Sequence, residues 1–402
     1  MPRLLPISDL WLAPHRPLFL AAALWSVAAL AWWQWGALAG LASPTLGTTT
    51  LWHAHEMLLG FGGASMAAYF LTAVSSWTGR PAITGRTLQA VVALWLLARL
   101  AMAFADHLPT PVLLAPGLGY FGLVAGLLAR EIVATRAWGK LGFPAAVAAL
   151  GVGDALFLLS TRGLEGLDTA TLTRGLVMFF VIKVSIIGGK MLPAFTGNWL
   201  RSIGSDAAPR ENLMADRLGL ALLFTALALT LAGAEAPSAL ALIAAGAAQL
   251  WRLAGWQSRA GLRNPLLAML HLTFLWLPVG LVLTGLARLL PDLMREADAL
   301  HALTMGAMGG MILSIAARAA ARRTEGALQA GPLLIAAYAL IWAATVLRLA
   351  TLPAASLAPA LVPDLTDGAA LAWVTGWGLF VLAFLPTLRG AVQRPVFSGP
   401  RA

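Results

Sequence analysis

Three ionisable side chains open a long apolar run at residues 51–57, LWHAHEM: His53, His55 and Glu56. A charged residue inside a bilayer costs at least about 2.5–3.5 kcal/mol, so groups of this kind need a chemical role or a partner. Imidazole is a ligand for haem iron and for copper. A carboxylate beside it can fix the histidine tautomer or carry a proton. Glu56 equally suits a carboxylate stabilised at a helix N-terminus. Residues two apart on a helix point about 200° apart, so on a regular helix His53 and His55 serve opposite faces. They can share one metal only where the helix begins after His55.

A second stretch repeats part of this pattern. HAHEM at 53–57 is echoed by HALTM at 301–305, and both are followed by a glycine pair, Gly62-Gly63 and Gly309-Gly310. His301, Met305 and Met308 fall at i, i+4 and i+7, on one helix face. Imidazole with thioether can hold Cu(I), although methionines at this spacing also serve as packing. The glycine pairs admit either a neighbouring helix at close range or a flat cofactor. His271 lies inside a further apolar run, where a lone histidine can also be an interhelical hydrogen bond. Arg99, Asp154 and Lys183 are charges within three more runs; they can pair with one another, or Arg99 and Lys183 can meet haem propionates. His15 and His107 sit at the ends of runs and read as interfacial.

The elements that must position these residues follow from composition. The chain has 402 residues, 59% hydrophobic and 11% charged, with a mean hydropathy of +0.80. A soluble domain carries about 25% charged residues, so lipid is the solvent. Apolar segments near the ~20 residues that cross a bilayer occur near 17–36, 52–74, 87–105, 110–129, 141–160, 172–190, 214–233, 237–255, 266–288, 298–318, 328–349 and 369–389. The expectation is an all-α integral membrane protein of about twelve transmembrane helices forming a single domain over 1–402. The longest loop is expected at about 198–212.

The net charge of +10 does not point to nucleic acid, because Lys and Arg sit in short gaps and form no basic face. Arg80, Arg86, Arg130, Arg136, Lys140, Arg252, Arg259, Arg263, Arg318, Arg322 and Arg323 fall in alternate gaps. The intervening gaps hold only Arg162, Arg174, Arg288, Arg295 and Arg348, often beside Asp168, Asp292 or Glu296. The positive-inside rule then puts both termini in the cytoplasm. There is no cysteine, which excludes thiolate ligands and C-x-x-C-H haem attachment. No dinucleotide fingerprint is present.

The run FLAAALW…LWHAHEMLLGFGGASMAAYFLTAVSSWTGRP closely resembles the N-terminal signature of the NnrS family. The match continues through GGKMLPAFTGNWL at 188–200, HLTFLWLPVGL at 271–281 and ALHALTMGAMGGMIL at 299–313, in order and over most of the chain. The resemblance implies a twelve-span bacterial inner-membrane protein that contains haem and copper and is linked to nitric oxide metabolism and nitrosative stress. Carried over by position, its histidines are His53, His55, His271 and His301. Two departures stand out. Helix 10 of the family runs into a segment resembling GHTG where this chain reads ARRTEG at 321–326, so a ligand there would be lost; and an initial FRP is HRP at 15–17.

The function expected is therefore a haem protein, with copper as a further metal, that binds or reduces nitric oxide. Glu56 would be the proton donor, and quinol or another carrier the electron source. A haem-based NO sensor or accessory protein is the non-enzymatic alternative. A transporter of metal, haem or nitrosyl species is the other, although the HAHEM/HALTM echo is a weak sign of the repeats that transporters show.

Overall fold

A computed structural model describes residues 7–397 apart from 167, 325 and 326; Glu325 and Gly326 of the ARRTEG segment thus lie outside the described residues. The structure is 80% helical, which makes it an all-α membrane protein. The long helices are α1 His15–Trp35, α2 Thr49–Thr78, α3 Gly85–Ala103, α4 Thr110–Ala134, α5 Gly142–Thr161 and α6 Thr169–Ser202. After these come α7 Leu213–Leu231, α8 Glu235–Ala254, α9 Pro265–Leu289, α10 Glu296–Ala320, α11 Pro332–Leu357 and α12 Val362–Phe384.

Among the described residues, eleven helices are long and apolar enough to cross a membrane. The exception is α8, at the place of the expected span 237–255. It is a helix of 20 residues, but it carries Glu235, Gln249 and Arg252 in an alanine-rich sequence, which lowers its hydropathy. The helix expected at 172–190 continues to Ser202. Pro193 removes one backbone donor without ending the helix, as buried membrane helices allow, so the expected loop at 198–212 starts later.

The chain forms two compact units. One comprises the described residues up to Leu176 with Val381–Val396; the other comprises Val177–Phe380 with Phe397. In the first unit α1 lies along α2, α4 packs between α3 and α5, and α2 also meets α4. Arg16 ties the two ends of this unit together by donating to the Asp9 and Gly390 carbonyls at 2.7 and 2.9 Å. His15 beside it is buried rather than interfacial. In the second unit α8 packs against α7 and α9, and α9 and α11 both pack against α10.

Two spans depart from regular geometry. α2 is α-helical over Thr49–His55, π-helical over Glu56–Gly62 and α-helical again over Gly63–Thr78. α10 repeats the order with Glu296–His301, a π segment Ala302–Gly309, and Gly310–Ala320. A π turn leaves carbonyls off the regular ladder, and isolated π turns recur at functional sites. Side-chain donors satisfy several of them in α2. Trp95 Nε1 donates to the Gly60 carbonyl at 3.0 Å, Tyr120 to Gly63 at 3.2 Å and Ser65 to Phe61 at 2.8 Å. In α10 the Gly310 carbonyl accepts from Ser314 at 2.7 Å. These are also the two most enclosed spans, 89% and 72% buried over their apolar windows.

Candidate functional site

The sequence places His53 and His55 on the first α-helical turns of α2, which are capped by the Thr48 hydroxyl accepting from Leu51 N at 3.1 Å. The helix is regular here, so the two imidazoles diverge. His53 is partly exposed and stacks on Trp33, with centroids 4.3 Å apart and planes 26° from parallel. His55 points the other way into full burial.

Around His55 the first unit assembles a closed polar cluster. Nδ1 lies 2.8 Å from Glu56 Oε1, and Nε2 lies 2.8 Å from Asp154 Oδ1 on α5. Arg99 on α3 donates from Nη1 to the same Glu56 oxygen at 2.6 Å. Two hydrogen bonds through one ring need two protons, and a neutral imidazole brings one. Either the ring is imidazolium between two carboxylates, or it is neutral with one carboxyl protonated. Both arrangements give the three groups one net negative charge, which the Arg99 guanidinium cancels. A buried cluster without net charge is the form that low dielectric tolerates.

Glycines make the cluster possible. A Cβ on Gly117 would sit 2.2 Å from Asp154 Oδ2, and one on Gly60 would sit 2.4 Å from Arg99 Nη1. Glu56 Oε2 is buried without a hydrogen-bond partner beside Gly60. Glu56 itself follows the first α-helical segment, so it faces His55 and Arg99 rather than serving a helix N-terminus.

In the second unit His271 on α9 is equally buried but has neutral company. Its Nε2 meets the Thr196 hydroxyl at 2.8 Å and its Nδ1 meets the Ser258 hydroxyl at 3.0 Å. Gly261 approaches the ring so closely that a Cβ there would lie 2.8 Å from Cδ2.

His301 has a third kind of setting. It is partly exposed, and its Nδ1 donates to the Ala297 carbonyl at 2.8 Å. A carbonyl can only accept, so this bond fixes the tautomer and leaves the lone pair on Nε2, as ligating histidines require. The helix beneath it is clamped. Arg288 holds Glu296 at 2.8 Å and also reaches Thr230 and Ser238, and Arg348 holds Asp298 at 2.6 Å. The π segment changes the face expected downstream. Met305 stays partly exposed with His301, while Met308 is buried, because the wider turn moves position i+7 out of phase.

The remaining candidates separate. Asp154 pairs with His55 and Arg99 with Glu56. Lys183 lies 5.4 Å from the Phe179 ring, half-buried, and forms no ion pair among the described residues. The glycine pairs are filled by neighbouring side chains: Phe121 lies over Gly63, Trp373 over Gly309 and Thr273 over Gly310. Close helix packing therefore accounts for these three glycines.

One buried charge escapes a sequence reading. Arg252, counted by its charge with the loops but lying in the last turn of α8, is buried and donates to Asp216 at 2.5 Å, Ser185 Oγ at 2.8 Å and Gln249 at 2.7 Å. The signal for it lies on another helix, where Gly189 gives room for the guanidinium.

The family described as NnrS protein matches residues 9–391. The chain belongs to the NnrS family, and with it to membrane proteins of nitric oxide-related function. No curated protein matches it.

Proposed function

We propose that this NnrS-family protein is a haem protein with copper as a second metal, and that it binds or reduces nitric oxide within the bacterial inner membrane. The arginine bias between spans supports cytoplasmic termini. When bound, haem and copper supply the sites that coordinate NO and pass electrons to it.

The donors fit this reading unequally. His53 stacks on Trp33 and His301 donates from Nδ1 to a backbone carbonyl, which leaves its ligating lone pair on Nε2, so both fit a metal with less rearrangement than His55 and His271, whose ring nitrogens each meet a side chain. His271 can ligate once the Thr196 and Ser258 hydroxyls give way, contacts of about 0.5–1.5 kcal/mol each. His55 would have to leave two carboxylates. It is better suited to hold a proton than a metal. Lys183 is a membrane-embedded cation available to a haem carboxylate.

The single observation that carries the catalytic reading is the Asp154–His55–Glu56 chain. It stores a transferable proton two residues from His53, and Arg99 balances the charge that remains. Glu56 Oε2, the unpartnered oxygen, is the natural point of delivery. NO reduction consumes protons, and a positioned general acid contributes about 10²–10⁴-fold.

Titrating NO into the reduced protein without oxygen, and following its optical spectrum, tests this directly. We expect a shift of haem bands in the parent and in Glu56→Gln, with NO consumption slowed about 10²-fold or more in the variant. An NO-insensitive spectrum in a haem-loaded parent would contradict the reading.

A further inference from the structure

The two most enclosed spans leave the same pair of side chains open. From Trp52 to Val74 of α2, only His53, Ala54, Met57 and Tyr69 escape full burial. From Asp298 to Ala320 of α10, only Leu300, His301, Thr304, Met305, Ile312 and Ala319 do so. Each set contains a histidine and the methionine four residues later. In each, the histidine lies in the last turn of an α-helical segment, which ends at His55 in α2 and at His301 itself in α10, and the methionine lies in the π segment that follows. Positions four apart share a face. Packing alone does not account for leaving this one pair accessible twice.

The neighbouring charges narrow the chemistry. Glu56 is engaged by His55 and Arg99, Glu296 by Arg288, and Asp298 by Arg348. Each of these carboxylates thus already has an imidazole or guanidinium partner. The chain has no cysteine, so thioether is its sole sulfur donor. Neutral nitrogen and sulfur ligands without carboxylate favour a soft monovalent ion over Mg, Mn or ferrous iron. In α10 the Ala297 carbonyl also holds the imidazole in the ligating tautomer.

The geometry points to two soft-metal half-sites, His53–Met57 and His301–Met305, each binding copper(I) through an imidazole nitrogen and a thioether sulfur. This rests on the metal reading above and deepens it by assigning the copper ligands, which leaves haem iron to His271. The two readings fail separately, because copper(I) uptake is measured without NO and haem content without copper.

The test is an anaerobic copper(I) titration of the detergent-purified protein against a chromophoric chelator, with silver(I) as a redox-silent probe. We expect Met57→Leu and Met305→Leu to weaken copper(I) binding individually, and together by tenfold or more. Zinc(II) binding should stay unchanged in both. Met308→Leu, on the same π segment but buried, should bind copper(I) as the parent does. Methionine to leucine conserves volume, so the fold should tolerate it. X-ray absorption of the silver-loaded parent needs no variant and should show a sulfur scatterer in the metal shell. Parental copper(I) affinity in the double variant, or a metal shell without sulfur, would overturn the assignment.

Discussion

His55 and His271 are both fully buried, and both have each ring nitrogen within hydrogen-bond distance of a side chain, yet their settings differ in charge. His55 lies between two carboxylates with an arginine to balance them; His271 lies between two hydroxyls in a neutral pocket. The first arrangement stores a proton and fixes a charge count. The second orients a neutral ring by weak bonds that a metal can replace. What distinguishes the two histidines is the helices that reach them, α3 and α5 in one unit, α6 and the segment before α9 in the other.

Substitutions separate the charged setting from the neutral one, and the largest effect is expected at the charge balance. Arg99→Met leaves the cluster with an uncompensated buried charge and should cost about 3–5 kcal/mol in unfolding experiments in detergent. Adding Glu56→Gln should recover much of that loss; an equal or larger loss in the double variant would show that the charge balance is not what matters. Gly117→Ala drives a methyl into Asp154 and should cost about 1–3 kcal/mol, the range for overpacking, whereas Gly122→Ala on the same helix, with open space around it, should be near neutral.

On the neutral side, Thr196→Val should cost only about 1 kcal/mol, measured as a small shift in melting temperature. The smallest effect is expected outside both centres. Asp168 caps α6 by accepting from the Thr171 hydroxyl and amide at 2.6 and 2.8 Å, and these bonds hold its carboxyl below the usual range. Its contribution is complete at neutral pH and fades as pH falls through the lowered value. Asp168→Ala should cost about 0.5 kcal/mol, at the low end for a cap because the site is exposed. The loss should shrink in acid.

Much of this was legible in the sequence, for physical reasons. Apolar length alone marks the spans, because a bilayer demands about 20 such residues, and α8 departs because Gln249 and Arg252 interrupt its hydropathy. The divergence of His53 and His55 follows from helix geometry. The π turns were not legible, since a hydrophobic pattern does not register one inserted residue. Met308 consequently fell on the wrong face. The partnership of His55 with Asp154 spans 99 positions and has no local signature. Arg252 reads as an interfacial charge at the end of α8, because the residue that gives it a buried seat, Gly189, lies on another helix.

The most direct test of the account is the metal and haem content of His301→Ala, His53→Ala and His55→Gln, each purified in parallel with the parent. His301→Ala and His53→Ala should lose bound metal, while His55→Gln keeps metal and haem at parental levels and loses NO consumption. A His55→Gln protein that loses its metal as completely as His301→Ala would contradict the division between proton-holding and metal-holding histidines.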